Sequence, residues 1–198
     1  QLAVSDMDIY EHLTPRVLES RRQLLDGSQV VVLDTNLPSE SIQWVAENCR
    51  APIFADPVST AKAEKLRPVL GKLHTLKPNR LEAELLSGVP ITDDDSLCRA
   101  ADALLETGLH RVFISLGADG VFAADHSGQK RKLPALKGNI VSTTGCGDAF
   151  MAALAWAYLQ GSDLEKSARA GRAASTVTMA SAETISAAMS EQALLAHM

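Results

Sequence analysis

The chain has 198 residues, of which 46% are hydrophobic and 22% charged, and its formal net charge is −5. That balance belongs to a folded globular protein and excludes disordered and fibrous classes, while a chain this long buries roughly 70% of its unfolded surface without needing disulfides or a structural metal. Lys and Arg are scattered, which excludes an obvious nucleic-acid surface, and the longest apolar stretches, such as 149–159, are well short of the roughly 20 residues that span a bilayer.

No signal-peptide pattern is present, so the expectation is a cytoplasmic protein with neither nucleic-acid nor membrane partners. Cys49, Cys98 and Cys146 show no metal-ligand spacing, which suits a reducing compartment. The chain opens on Gln1 rather than Met, in mid-pattern, which is the expectation for a fragment, a processed product or a trimmed form.

In chain order, an acidic opening (Ser5, Asp6, Met7, Asp8) precedes Thr14-Pro15, which predicts a helix with a Val17, Leu18, Leu24, Leu25 stripe running to Asp26-Gly27. Gln29 to Leu33 reads as a buried strand that delivers Asp34-Thr35-Asn36 at its end. A helix begins at Pro38-Ser39-Glu40 and passes through Trp44 and Val45. The next two strands are Pro52 to Ala55, closed by Asp56-Pro57, and Leu73 to Leu76, closed by Lys77-Pro78-Asn79. A helix from Asn79 to Leu86 stops at Gly88-Val89-Pro90. Asp93-Asp94-Asp95 then sets negative charge at the start of a helix that ends near Gly108. Arg111 to Leu116 and Val121 to Ala124 form a hairpin across Gly117 to Gly120, and an irregular stretch holds Lys130, Arg131 and Lys132. From about Asp148 to His197 the chain is Ala-rich and helical. Strands alternating with longer helical segments predict an α/β class and a single domain over residues 1–198.

The most informative segment is Ser142-Thr143-Thr144-Gly145-Cys146-Gly147-Asp148-Ala149-Phe150. Two glycines one residue apart allow a tight bend and a close backbone approach. The amides lead into a helix start, whose open N–H groups and positive dipole end favour an oxyanion such as phosphate. Asp148 is either a charge complement to the helix or a base that accepts a hydroxyl proton beside a phosphoryl group. Neither a Walker A string nor the three-glycine dinucleotide fingerprint is present. Cys146 could be an activated thiol, but a small packed residue is the plainer reading. His74 reads as a core histidine, and Trp44 and Trp156 as core residues of apolar helical faces. Asn36 and Asp56 stand at strand ends, where open α/β sheets bind ligands, and are weak substrate-side candidates.

Thr144-Gly145-Cys146-Gly147-Asp148-Ala149-Phe150 resembles the C-terminal signature of the ribokinase-like (PfkB) carbohydrate and nucleoside kinases. The resemblance implies that Asp148 is the catalytic base and that the amides of Gly145, Cys146 and Gly147 form an anion hole beside Thr144. Cys146 stands where the family has alanine. Ser142 stands where it has an aspartate associated with a monovalent cation, which leaves K+ an open question. Asn79-Arg80-Leu81-Glu82 is similar to the family's Asn-x-x-Glu element, implying that Asn79 and Glu82 place Mg2+ and the phosphates of ATP. Ser115-Leu116-Gly117-Ala118-Asp119-Gly120 resembles its nucleotide-binding turn, implying that Ser115, Gly117 and Gly120 face the nucleotide. The implied fold is a ribokinase-like three-layer sandwich with a mostly parallel central sheet.

Phe54-Ala55-Asp56-Pro57-Val58-Ser59 and His74 to Glu84, together with Asp6-Met7-Asp8-Ile9 and the Asp34-Thr35-Asn36 strand end, most resemble the pseudouridine-phosphorylating branch of that family. The family's early aspartate strand, Gly-Gly signature and β-sheet lid have no counterpart in this sequence. The chain therefore reads as the nucleotide-binding, catalytic C-terminal portion of a kinase that converts pseudouridine to its 5′-phosphate. Alternatives are another sugar or nucleoside kinase, or a silent nucleotide-binding fragment, and a homodimer is an open possibility.

Overall fold

The computed structural model describes residues 6–198; Gln1 and Ser5, on which two of the expectations above fall, lie outside the described residues. Two compact units divide the chain, one ending at His110 and the other beginning at Arg111.

In the first unit, the apolar runs become the parallel strands β1 (Val31–Asp34), β2 (Ile53–Asp56) and β3 (Thr75–Leu76). Val31 is opposite Ile53 and Asp34 opposite Asp56, while Phe54 is opposite Thr75. Ile53, Phe54 and Ala55 are buried, which explains why the run lacks an apolar-polar alternation. Because all three strands run the same way, Asp34, Asp56 and Lys77 emerge at one edge, the carboxyl end of the sheet.

The expected helix over 14–26 is two short ones, α1 (Pro15–Glu19) and α2 (Arg22–Asp26). Ser20 lies at the break, its hydroxyl donating to Val17 O at 2.6 Å, a local bond that competes with helix continuation. α3 (Ser39–Asn48) returns the chain to β2 and buries Ile42 and Val45. Residues 60–72, for which no element was predicted, form α4 (Thr60–Ala63) and a 3₁₀ segment, Glu64–Lys72, with Pro68 inside it. Leu66, Val69 and Leu70 there are buried, and the proline masked their helical spacing. α5 (Arg80–Ser87) and α6 (Asp94–Glu106) complete the unit, with Ala100, Ala101 and Leu104 of α6 fully enclosed.

The second unit opens with an antiparallel meander: β4 (Arg111–Ser115), β5 (Val121–Asp125) and β6 (Lys130–Leu133). Its first hairpin is the one expected. β6 replaces the predicted irregular stretch; its Lys-Arg-Lys composition hid a strand whose exposed side chains suit an edge. The remaining helices are α7 (Cys146–Leu159), α8 (Leu164–Met179) and α9 (Glu191–Ala196). Small residues on α8 let it lie close to α7, and Ala153, Ala157, Ala170, Ala173 and Ala174 form one buried cluster with Leu194 of α9. Among the described residues, no helix is long and apolar enough to cross a membrane.

Gly171, inside α8, shows how tight this contact is. A Cβ there would come within 2.6 Å of both Cδ1 and Cζ of Phe150, itself a buried residue of α7 tilted against Phe113. A glycine in mid-helix ordinarily costs stability relative to alanine, by roughly 0.5–1 kcal/mol. Here the sign reverses. Gly171→Ala is expected to lose about 1–3 kcal/mol through overpacking, read as a lower denaturation midpoint with an unchanged slope.

Candidate active site

From α5 onward, every helix but one has a side chain closing its N-terminus. Asn79, Asp93, Asp163 and Ser190 accept from the first-turn amides of α5, α6, α8 and α9. α7 starts instead at Gly145, which has φ +84° and offers no side-chain cap. The first-turn amides of Gly147 and Asp148 therefore have no acceptor within the helix. The Cys146 amide closes the turn onto Thr143 O at 3.3 Å, and Thr144 N–H donates to Ser142 Oγ at 3.2 Å. Upstream, Val141 N–H donates to Met179 O at 2.8 Å, tying the approach of the bend to the end of α8.

Gly145 meets two requirements at once. Its backbone is left-handed, and a Cβ there would run into Thr184 O and lie 2.9 Å from Thr184 Cγ2. The bend is thus seated against the segment that follows α8. Asp148 is exposed in the first turn, and with Gly145 it borders a cavity of about 530 Å³. The cavity continues along α7 past Ala152 and Trp156 to Ile185, Met189 and Leu194. Cys146 is a packed residue: its Sγ lies 3.7 Å from Ser175 O, and burial pushes its thiol above the ordinary range. That corrects the activated-thiol alternative, because a nucleophilic cysteine needs the opposite shift. All three cysteines are free.

At the end of β4, Ser115 leads into a short 3₁₀ turn, Gly117–Asp119, and Gly117 and Gly120 both have positive φ. These residues, like the Gly145 bend, belong to the second unit.

Asn79 and Glu82 belong to the first. They form a reciprocal capping box at the start of α5. Asn79 Oδ1 accepts from Glu82 N–H at 3.0 Å, and Glu82 Oε2 accepts from Asn79 N–H at 2.8 Å. Glu82 is only 3% exposed. The box commits one carboxylate oxygen, so coordination of a ligand would fall to Oε1. No group of three or more His, Cys, Asp or Glu among the described residues could hold a metal. A single carboxylate is nonetheless a donor set that magnesium accepts when waters and phosphates supply the rest.

The weak substrate-side candidates are both engaged internally. Asn36 donates to Asp34 Oδ2 at 2.7 Å and accepts from Lys62 Nζ at 2.5 Å. Asp56 pairs with Lys77 at 3.0 Å. His74 accepts or donates at Thr75 Oγ1, 2.9 Å away, and stacks on Phe54 and His110.

The profile of the pfkB family carbohydrate kinases matches residues 10–191. The chain belongs to that family. It is 36% identical over 179 residues to the pseudouridine kinase of Escherichia coli (strain K12), a match covering 90% of this chain and 57% of the relative. The solved carbohydrate kinase from Agrobacterium tumefaciens aligns with TM-score 0.83 at 30% identity, over 99% of this chain and 63% of that one. Ribokinase from Thermotoga maritima gives TM-score 0.81 at 25% identity, over 95% and 62%. The expected ribokinase-like α/β fold is borne out, and the chain spans 57% to 63% of the length of these pfkB-family relatives.

Three polar residues escaped the sequence reading of this pfkB-family chain. Lys77 and Lys62 stood in plain view but carry no spacing that announces an internal pair. Arg172, on α8, donates to Pro134 O at 2.8 Å while its buried Nε has no partner, and desolvation lowers its pKa.

Two outcomes test this geometry. Gly145→Ala should distort the bend and abolish oxyanion affinity, measured by isothermal titration with ATP, since the added methyl meets backbone as well as a left-handed φ. Burial is the main cause raising the Glu82 pKa above its ordinary 4.5, with Asp56 adding to it and Asn79 and Lys77 opposing. A raised carboxylate pKa means that the fold gains from the protonated form below 4.5 and loses that gain as pH rises through the elevated value. Glu82→Gln, which keeps an acceptor for Asn79 N–H, should therefore melt progressively higher than the native chain, in metal-free buffer, as pH is raised from acid to neutral.

Proposed function

We propose that the chain is the nucleotide-binding and catalytic portion of an ATP-dependent kinase that phosphorylates the hydroxymethyl group of a ribosyl compound, with pseudouridine as the first acceptor to test. The observation that carries this reading is the uncapped start of α7. An exposed carboxylate, Asp148, stands there one residue beyond a glycine bend whose amides lack acceptors. Membership of the pfkB family and the 36% identity to a pseudouridine kinase support the reaction class and the acceptor.

The chemistry follows from the parts. Asp148 accepts the proton of the acceptor hydroxyl as its oxygen attacks the γ-phosphorus; the bond to the β-bridging oxygen breaks, and ADP leaves. Open amides of the bend donate to the oxygens on which negative charge accumulates, and being fixed in advance they need no reorganisation. Gly117 leaves its position of the β4–β5 turn open where the nucleotide is expected, since nothing lies within 4 Å of where its Cβ would be. Asn79 and Glu82 Oε1 would hold magnesium, which when bound offsets phosphate charge. Ser142 in place of the family's aspartate makes K+ dependence a separate question for the same assay.

A second reading rests on the coverage of 57% of the relative's length. With the remaining parts of the relatives unmatched, the chain would bind nucleotide without turning over, since phosphoryl transfer depends on a positioned acceptor.

ADP release in the presence of pseudouridine, ribose or another ribosyl nucleoside separates these readings. The kinase reading expects turnover with pseudouridine that falls roughly 10²–10⁴-fold in Asp148→Asn, with ATP affinity kept. Turnover with a different acceptor alone reassigns the substrate, and ATP binding with no turnover establishes the silent fragment.

A further inference from the structure

The glycine bend that opens α7 is anchored to α8 on both sides. On the entry side, Val141 N–H and Ser142 N–H donate to Met179 O at 2.8 and 3.3 Å, a carbonyl at the end of α8 that the helix's own ladder leaves open. On the exit side, Ser175 Oγ donates to Cys146 O at 3.1 Å, and Cys146 Sγ lies 3.7 Å from Ser175 O. Ser175 and Met179 are one helical turn apart, roughly 6 Å along the axis. The entry anchor is main chain and indifferent to residue type. The exit anchor is a single hydroxyl.

α8 does not need that hydroxyl for its own sake. Serine is a weaker helix former than alanine, because its side chain competes for nearby backbone groups. Ser167 and Thr176 settle the competition within their own helix, donating to Asp163 O at 2.8 Å and to Arg172 O at 2.9 Å. Ser175 instead crosses to α7, and the carbonyl it reaches belongs to the first residue of the helix whose start is uncapped.

The consequence lies in the peptide unit that carries this carbonyl. A trans peptide is planar, with its C=O and the following N–H pointing in opposite directions, and no peptide bond among the described residues is cis. Cys146 O and the Gly147 N–H share one such unit. A donor on the oxygen restrains the direction of the N–H, and it polarises the unit so that the N–H becomes a stronger donor in turn. The Cys146 amide is already turned onto Thr143 O at 3.3 Å, so Gly147 carries the first open amide of the helix.

We infer that Ser175 is a positioning residue for phosphoryl transfer: its hydroxyl holds the Cys146–Gly147 peptide unit so that the Gly147 N–H faces the terminal phosphate of the nucleotide. This rests on the reading, proposed above, that the bend receives that phosphate. Ser175 acts through the peptide unit and needs no contact with the nucleotide.

The test is calorimetric titration of the full chain with ADP and with ATP in the presence of Mg2+, since the ratio of the two dissociation constants isolates the contact to the γ-phosphate. Ser175→Ala is expected to shrink that ratio about tenfold while ADP affinity is retained, less than the loss of a direct oxyanion donor would cost. Ser175→Thr, which keeps the hydroxyl, is expected to preserve the ratio, and Thr176→Val, which removes a hydroxyl bonded within α8, to leave both affinities native. An undiminished ratio in Ser175→Ala overturns the inference, as does a loss shared equally by ADP and ATP or a like loss in Thr176→Val. The nitrogen and proton resonances of the Gly147 amide provide a readout independent of nucleotide. Displacement in Ser175→Ala that is reversed in Ser175→Thr supports the inference, and any other pattern overturns it. A native chain that binds ATP no tighter than ADP defeats the γ-phosphate reading of the bend, and the amide resonances then decide alone whether Ser175 holds the peptide unit.

Discussion

The chemistry proposed for this molecule starts from how helix starts find acceptors for their first amides. Four amides at each N-terminus must be satisfied by something outside the helix's own ladder. α5, α6, α8 and α9 meet the requirement with Asn79, Asp93, Asp163 and Ser190. α7 does not, and it begins at a residue with no side chain to offer. An uncapped start with positive dipole character is a standing attraction for an oxyanion. Because Asp148 is the third residue of that same helix, the proposed roles of anion attraction and proton acceptance would come from one rigid element.

The capping box of α5 belongs to the same logic with the opposite outcome. Asn79 and Glu82 close each other's amides, which places a carboxylate where only 3% of the residue remains accessible. Desolvation then works against its charge. Lys77, whose charge favours the ionised form of Glu82, is itself paired with Asp56 at 3.0 Å. Both oxygens of Asp56 are engaged, Oδ1 by the Val58 N–H and Oδ2 by Lys77.

Much of the fold could be read in advance because its signals are local. Ile53-Phe54-Ala55 between a proline and Asp56-Pro57 could be little else than a buried strand, and Asn79 to Gly88 carries both a cap and a stop. Where reading failed, the reason was physical. Pro68 interrupts the period of a segment that is helical anyway, because Leu66 and Leu70 are driven into the core. Lys130 to Leu133 looks polar and irregular, yet it pairs with β5 because backbone bonds, not side chains, hold an edge strand. Ser20 split a helix whose apolar stripe ran on without a break.

For the proposed site, chain order singled out Asp148, the glycine bend, Asn79 and Glu82 as candidates, since each proposed role depends on residue type at a short spacing along the backbone. Spacing also carried the family resemblance, whose fold the structural relatives share. Tertiary structure alone decided three other things: that Gly145 is wedged against Thr184, that Cys146 packs against Ser175, and that Asp56 answers to Lys77 across 21 residues of chain. No local pattern encodes such pairings, because they are set by which strand ends the parallel sheet brings to one edge and by how closely small residues allow the helices to approach.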